Sequence, residues 1–558
     1  MSYLGGYVPP GSEEWELQES RFMSKILAQL SPQARLAALL SVGLVTAIEI
    51  SNRVSINVLL PDMQGNVAAN SDEISWAITL YNLGFLCSIA VASWMTRVIG
   101  TRKHLLYSIG FYAIGALGCV FSVHSLSLLL VSRTVMGFGG GAFLVRAVIL
   151  ANTMFPGKAR LGAVIKLYLI LGVFQIVYPS AMGWINDTFH WNYAFLLDFP
   201  FLAIGAILIA KHIPKGHLFR RDPAKTTDYR GAIVLLVSLA CLQIATSRGE
   251  QDLWLDSKLV AVSLFLAVML LAYFFWWDYR PEVTDPVFHL RMLWRTAQLR
   301  TSLIVVMIVG GIMGAALYVI PQYLRFVQNY SATQTGGFIS AYSIGLMLGL
   351  IGTVRYLLPK LGGVWTLALA LTSLSATCGL IIYIFTPTTP TIVLAPALFI
   401  QGLTLAPTIV AASNVATGNV PIADVNDVST MYFFVRQLGN TAGVTAATVL
   451  FDHRMTFHSS RLLDTANQLD PTTRMTLSAY ANLVRRNAGA AYRPLDGALQ
   501  IFLNNVIAQS RLLSYIDIYF GLAFISIVGA LLLWYSRSRL RSANAVTYDH
   551  PHRANHTW

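Results

Sequence analysis

Charge is what this sequence has least of. Of its 558 residues only 12% are Asp, Glu, Lys or Arg, while 55% are hydrophobic. Soluble domains carry about 25% charged residues, so the shortfall excludes an ordinary soluble chain and points to an integral membrane protein. Cysteine is scarce too. The four, Cys87, Cys119, Cys241 and Cys378, all fall inside apolar runs, show no metal-ligand spacing, and read as small buried hydrophobes. The first thirty residues are polar, with Glu13, Glu14, Glu16 and Glu19, so no cleavable leader is read there. A glycine-rich phosphate loop ending in Lys-Ser/Thr is also missing, which argues against direct drive by ATP.

What is present is a succession of fourteen apolar segments near the ~20 residues that a spanning helix needs. They run approximately over 35–60, 74–96, 104–123, 126–150, 162–184, 192–210, 231–247, 258–277, 301–324, 334–354, 363–385, 391–413, 428–452 and 515–536. Several are rich in glycine, which suits close helix packing in lipid. With the N-terminus inside, cytoplasmic segments hold 24 of the 39 Lys and Arg residues, against three (Arg248, Lys258, Arg325) in the short outer loops. That split sets the orientation, with both termini cytoplasmic. It also accounts for the net charge of +13 as membrane topology rather than nucleic-acid binding. The connection 453–513, which contains MTLSAYANLVRR, is expected as a long outer loop with helical, partner-touching stretches.

Ionisable groups inside such segments are functional candidates, because each costs about 2.5–3.5 kcal/mol at mid-bilayer on insertion scales. Here they are Glu49, Arg53, Arg133, Arg146, Lys166, Asp198 and Arg436. Arg146 and Lys166 lie near cytoplasmic ends and can snorkel. Glu49 and Arg53 share a helix face at i, i+4, with Glu49 near the bilayer centre by a rise of roughly 1.5 Å per residue. Either they form a static ion pair, or Glu49 takes and releases a proton. Desolvation favours a neutral carboxyl and a neighbouring guanidinium a charged one, so moving the arginine would switch the proton. Asn52 and Asn57 add hydrogen-bonding capacity beside them.

These residues and their surroundings resemble the major facilitator superfamily, and within it the fourteen-helix drug:proton antiporters of the EmrB/QacA type, from about residue 35 to 540. NVLLP (57–61) fits the first-helix signature, with Asn52 where that signature begins with an acid and Glu49 one turn earlier. SWMTRVIGTRK (93–103) keeps Gly100, Arg102 and Lys103 of the cytoplasmic loop motif but has Arg97 in place of its Asp. RTVMGFG (133–139) fits the fourth-helix pattern with Met136 replacing Gln, and its Arg133 inherits proton coupling by position. Of the fifth-helix antiporter motif Pro179 and Gly183 survive, with Tyr178 and Met182 at glycine positions. HWNYAFLLDFP (190–200), with Asp198 for Asn, and FVRQLG (434–439) match elsewhere.

The resemblance implies an all-α membrane fold of two six-helix bundles plus two inserted helices. Its parts would be a cytoplasmic tail (1–34), a first bundle (35–210), a basic linker with the inserted pair (211–277), a second bundle (278–536) and a cytoplasmic tail (537–558). It implies a bacterial inner-membrane exporter of amphipathic toxic organics driven by the proton-motive force, with no other cofactor, metal or nucleic acid. A periplasmic adaptor protein and an outer-membrane channel of the TolC type are the implied partners. Glu49, Arg53 and Arg133 are the expected coupling cluster; Asn52, Asn57, Tyr178, Pro179, Gly183 and Arg436 are the expected cavity or gating residues. Helices one and four should line the cavity and helix six, with Asp198, should sit outside it. Tyr81, Phe85, Tyr168, Phe174 and Tyr178 are candidates for its wall. A dedicated exporter of one metabolite, such as a siderophore, is the alternative. A membrane acyltransferase using His217 and Asp222, at His-x4-Asp spacing, is remote. The histidines of the tail DHPHRANHTW read as a disordered end.

Overall fold

The computed structural model describes residues 30–155, 158–215, 228–280, 283, 286–288, 297–417, 425–465, 471–488 and 494–535. Among them there is no strand, as expected of a chain that must satisfy its backbone inside lipid. The helices are α1 (Pro32–Asn66), α2 (Ser71–Ile99), α3 (Thr101–Phe121), α4 (Leu126–Thr153), α5 (Lys158–Thr188), α6 (Asp198–His212), α7 (Tyr229–Arg248) and α8 (Lys258–Asp278). They continue as α9 (Ala297–Phe326), α10 (Ala332–Gly352), α11 (Leu358–Ile384), α12 (Thr391–Thr417), α13 (Val425–Thr465), α14 (Pro471–Ala488) and α15 (Pro494–Tyr535). Each of the fourteen apolar segments falls on a helix. A π turn at Thr353–Leu357 joins α10 to α11, so two segments form one unbroken stretch, Ala332–Ile384. Among the described residues 12 helices qualify as spans by length and apolarity; α13 does not, because Arg436, Gln437, Asn440 and Thr441 interrupt its apolar face.

Packing repeats in order along the chain. α2 and α3 pack on α4, and α1 on α5 and α6; correspondingly α10 and α11 pack on α12, and α9 on α13 and α15. α7 and α8 pack on each other, with α7 against α2. This is two six-helix bundles with an inserted pair. Local signals repeat as well. α2 begins with a capping box between Asn70 and Glu73, and α10 with one between Ser331 and Gln334, each satisfying two otherwise orphaned N–H groups. A glycine at positive φ follows each, Gly100 at 84° in the turn after α2 and Gly362 at 73° at a kink within α11, a conformation that a Cβ disfavours.

The connection 453–513 holds the helical stretch expected of it, MTLSAYANLVRR lying within α14, and is more helical still. α13 runs on to Thr465 and α15 starts at Pro494, with α14 packed on α15 between them. The extension is tied together by Arg454 Nε and His458 Nε2, 2.5 and 2.7 Å from Asp517 Oδ2, and by Asn505 Nδ2 donating to Tyr480 Oη at 2.9 Å. At about 1.5 Å per residue, the 41 residues of α13 span roughly 60 Å, about twice the ~30 Å hydrocarbon core.

The bundles meet along α5 and α10, and at one end α2 meets α13. The α5–α10 seam depends on small residues: a Cβ on Gly336 would lie 2.6 Å from the Pro179 carbonyl oxygen, and one on Gly183 2.6 Å from that of Ala332. Gly336→Ala is therefore expected to destabilise the protein by about 1–3 kcal/mol, the usual range for overpacking. Gly337→Ala, with nothing within 4 Å of its Cβ position, should be neutral. Thermal unfolding of the two detergent-purified variants checks the contrast.

Candidate functional site

Between the bundles lies a cavity of about 580 Å³. Its first wall is α1, where Arg53, Asn57 and Gln64 recur on one face, together with Tyr81 of α2 and Arg133 of α4. Tyr168 of α5 and Arg436 and Tyr432 of α13 line it too. The α7–α8 turn contributes Glu250 and Gln251 at the end away from the basic connections, where Arg325, Phe326 and Arg511 also lie.

Behind Arg53 is the buried carboxyl. Glu49 has no exposed surface. Its Oε1 lies 3.2 Å from Arg53 Nε and accepts from Tyr81 Oη at 2.8 Å, while Oε2 makes no hydrogen bond to the protein. Room for it comes from the glycine run of α4: a Cβ on Gly140 would sit 2.7 Å from Glu49 Cγ. Two rings complete the cluster. The Arg133 guanidinium lies 4.2 Å over the Tyr81 ring and that of Arg53 4.3 Å over Phe85, contacts worth about 2 kcal/mol when desolvated. Arg133 Nη1 also reaches Asn52 Oδ1 at 3.5 Å. Arg53 Nη1 crosses to Gln437 Oε1 on α13 at 3.4 Å, so the cluster touches both bundles.

At the basic end the cavity is shut. Arg97 Nη1 is 2.6 Å from Asp427 Oδ1 on α13, and Arg97 Nη2 donates to the Pro286 carbonyl at 2.7 Å. Arg146 Nη1 donates to Asn426 Oδ1 at 2.7 Å. Ser93 hydrogen-bonds both Asp427 and Asn426. At the other end Asp62 of α1 meets Arg325 of α9 at 3.0 Å, beside the cavity mouth.

These arrangements are those of a carrier with one side closed, and the sequence agrees: residues 42–444 match the Major Facilitator Superfamily. The chain belongs to that superfamily. It is 22% identical over 509 residues to the multidrug export protein EmrB of Escherichia coli K12, covering 89% of this chain and 94% of that one. Similarity to the fatty acid resistance protein FarB of Neisseria gonorrhoeae is 21% over 511 residues, covering 90% and 96%. Among solved structures, that of the peptide transporter POT superposes with a TM-score of 0.57 at 14% identity, covering 93% of this chain and 99% of that one; it shares the fold. A multi-pass membrane protein of the superfamily follows, and its fold and relatives are those of transporters.

Several expected site residues lie elsewhere than the resemblance implied. Glu49 and Arg133 both belong to the first bundle, joined through Tyr81, and the second bundle brings Arg436 to the cavity. Asn57 and Arg436 do line the cavity. Asn52 does not, being fully buried between Arg133 and Asp198. Tyr178 points away as well, its hydroxyl on Asp198 Oδ1, because that side of α5 packs on α1 and α6 rather than on the cavity. Pro179 and Gly183 form the α5–α10 seam. Among the candidate aromatics Tyr81 and Tyr168 line the cavity, Phe85 stacks on Tyr81, and Phe174 packs on Phe201. Gly100 makes the turn into α3, whose first residues include Arg102 and Lys103. Arg146 does not snorkel: it is 1% exposed and bridges the bundles, whereas Lys166 is exposed. His217 and Asp222, and the tail histidines, lie outside the described residues.

Sequence reasoning missed Tyr81 as the donor to Glu49, and Asn426 and Asp427 as the partners at the basic end. The clue to Asp427 was Arg97 itself, a cation where the superfamily motif has an acid. Arg97→Asp should repel Asp427 and part the basic ends of α2 and α13, while adding Asp427→Arg should bring them back. Spin labels at Lys103→Cys and Lys360→Cys, both exposed at that end, read the separation: longer in the single variant, restored in the double.

Proposed function

We propose that this protein is a proton-coupled exporter of amphipathic organic anions, an antiporter working in a bacterial inner membrane with its basic end and both termini in the cytoplasm. The observation that carries the reading is the charge of the cavity. Five guanidiniums line it, from Arg53, Arg133, Arg325, Arg436 and Arg511, against one carboxylate, Glu250. Among the described residues no carboxylate lies in ion-pair range of Arg133, Arg436 or Arg511. An enclosed cationic surface attracts anions strongly, and the Leu, Ile, Met and aromatic side chains around it offer an apolar wall suited to a range of amphipaths rather than to one compound. The relatives named for multidrug export and fatty acid resistance support export of this kind.

Coupling follows from a shared partner. Arg53 both lines the cavity and holds Glu49. An anion that engages Arg53 changes the charge balance at Glu49, so substrate occupancy and proton exchange are linked at one side chain. The proton-motive force then supplies the drive, with no other cofactor. The α13–α15 extension, rising well beyond the hydrocarbon, offers a docking surface for a periplasmic adaptor protein leading to an outer-membrane channel of the TolC type.

Everted membrane vesicles given a dansyl fatty acid or ethidium test the reading. Uptake of the anionic probe should exceed that of ethidium and stop when nigericin collapses the proton gradient. Arg436→Gln should raise its half-saturating concentration roughly tenfold or more, the equivalent of a charge-assisted hydrogen bond of about 1.5–3 kcal/mol. Glu49→Gln should bind the probe but lose gradient-driven uptake. Preference for ethidium would overturn the substrate class; full transport by Glu49→Gln would overturn the coupling.

A further inference from the structure

Asp198 is the second carboxyl of the membrane interior that no role so far explains. It opens α6, after the 3-10 turn Trp191–Leu197, and has no exposed surface. Among the described residues it forms no ion pair. Its Oδ2 accepts from Asn52 Nδ2 at 3.1 Å, and its Oδ1 accepts from the Tyr178 hydroxyl. Tyr112 and Cys119 of α3 face it, and Arg133 of α4 acts on it as a charge and is bridged to it by Asn52. The amino end of α6 places a positive dipole beside it.

We propose that Asp198 is a second proton-binding site of this transporter, linked to the cavity through Asn52 and Arg133 and to the α5–α10 seam through Tyr178. The chemistry lies in the amide of Asn52, which has one accepting and one donating end. With Asp198 charged, the carbonyl of Asn52 faces Arg133 and its NH2 faces the carboxylate, so both ends of the amide have a complementary partner. A proton on Oδ2 turns that oxygen into a donor facing another donor. Turning the amide over restores an acceptor to that proton, and it points the NH2 at the guanidinium and ends the contact between Asn52 and Arg133. Arg133 also lines the cavity, so a proton on Asp198 alters a substrate-facing side chain without being in the substrate path. A proton on Oδ1 is met by Tyr178, whose hydroxyl rotates from donor to acceptor.

The other end of the relay is mechanical. Tyr178 precedes Pro179, whose carbonyl is the atom packed closest to Gly336 of α10. A change in the hold on Tyr178 therefore acts at the proline of α5, where the helix lacks one backbone hydrogen bond, and at the seam on which the two bundles move. Glu49 and Asp198 thus both connect to Arg133, one through Tyr81 and the other through Asn52.

The inference rests on the proton-coupled reading above, and infrared spectroscopy separates the two. Protein reconstituted in liposomes without substrate is titrated from acid to alkaline pH, and the carbonyl stretch of protonated carboxyls is followed. Wild type should show two buried carboxyl bands, of which Asp198→Asn removes one and Glu49→Gln the other. In dansyl fatty acid transport, Asp198→Asn should move about half as many protons per substrate. If Asp198→Asn leaves the titrating bands unchanged while Glu49→Gln removes one, Asp198 is no proton site and the coupling reading stands. If no buried carboxyl titrates, both fail. Should Asp198→Asn not yield monodisperse protein, Tyr178→Phe decides: a shifted carboxyl band supports the site, and a spectrum identical to wild type overturns it.

Discussion

A carboxyl group at the centre of a bilayer is tolerated only where several helices supply donors to it at once, and Glu49 imposes that demand on its bundle. Arg53 one turn along α1 gives charge, Tyr81 of α2 gives a hydrogen bond, and Gly140 of α4 gives room. Lipid offers none of these, and an unpaired ion there costs several kcal/mol. The positions of α1, α2 and α4 relative to one another are therefore tied to a single side chain. The same side chain shares its arginine with the cavity, so what stabilises the bundle is also what senses the cavity's contents.

The bundles themselves are joined by contacts of two kinds. Along α5 and α10 the contact is close packing of glycine against backbone, with Ser180 and Ser340 hydrogen-bonded across it at 2.9 Å. At the ends it is polar: Arg97 with Asp427 and Arg146 with Asn426 on the basic side, Asp62 with Arg325 on the other. Each of these pairs has one member on each bundle, so breaking one end need not disturb the packing of either bundle. A carrier that rocks about a fixed site needs that division between a permanent seam and exchangeable ends. The charge reversal at Arg97 keeps the end contact by placing the acid on α13 instead.

The candidate site was only partly legible. Glu49, Arg53, Arg133 and Arg436 were found because each is an ion in an apolar run, a signal that needs no structure. Asn57 was found by resemblance and does line the cavity. Tyr81 was not identified as a donor, because a tyrosine among apolar residues looks like packing until its hydroxyl is placed. Tyr178 and Asn52 were assigned to the cavity because their neighbours in sequence suggested it; helical phase and the packing of α5 on α1 and α6 direct them to Asp198. The helical stretch within the connection before α15 is legible in its sequence, but the continuation of α13 is not, because it is held by Asp517 rather than by an apolar stripe.

The sequence by itself determined the membrane class and the fourteen segments that fall on helices, since these rest on local composition, and the distribution of lysine and arginine sets the sidedness expected of them. It also determined the capping boxes and the glycine turns, which are local in chain and in space. Only the tertiary structure decided which ions meet. Asp198 lies 146 residues from Asn52 and Asp427 330 from Arg97, and no local pattern records that those helices come together. The charge of the cavity belongs to the same class of fact: its arginines come from α1, α4, α9, α13 and α15, and only folding gathers them into one surface.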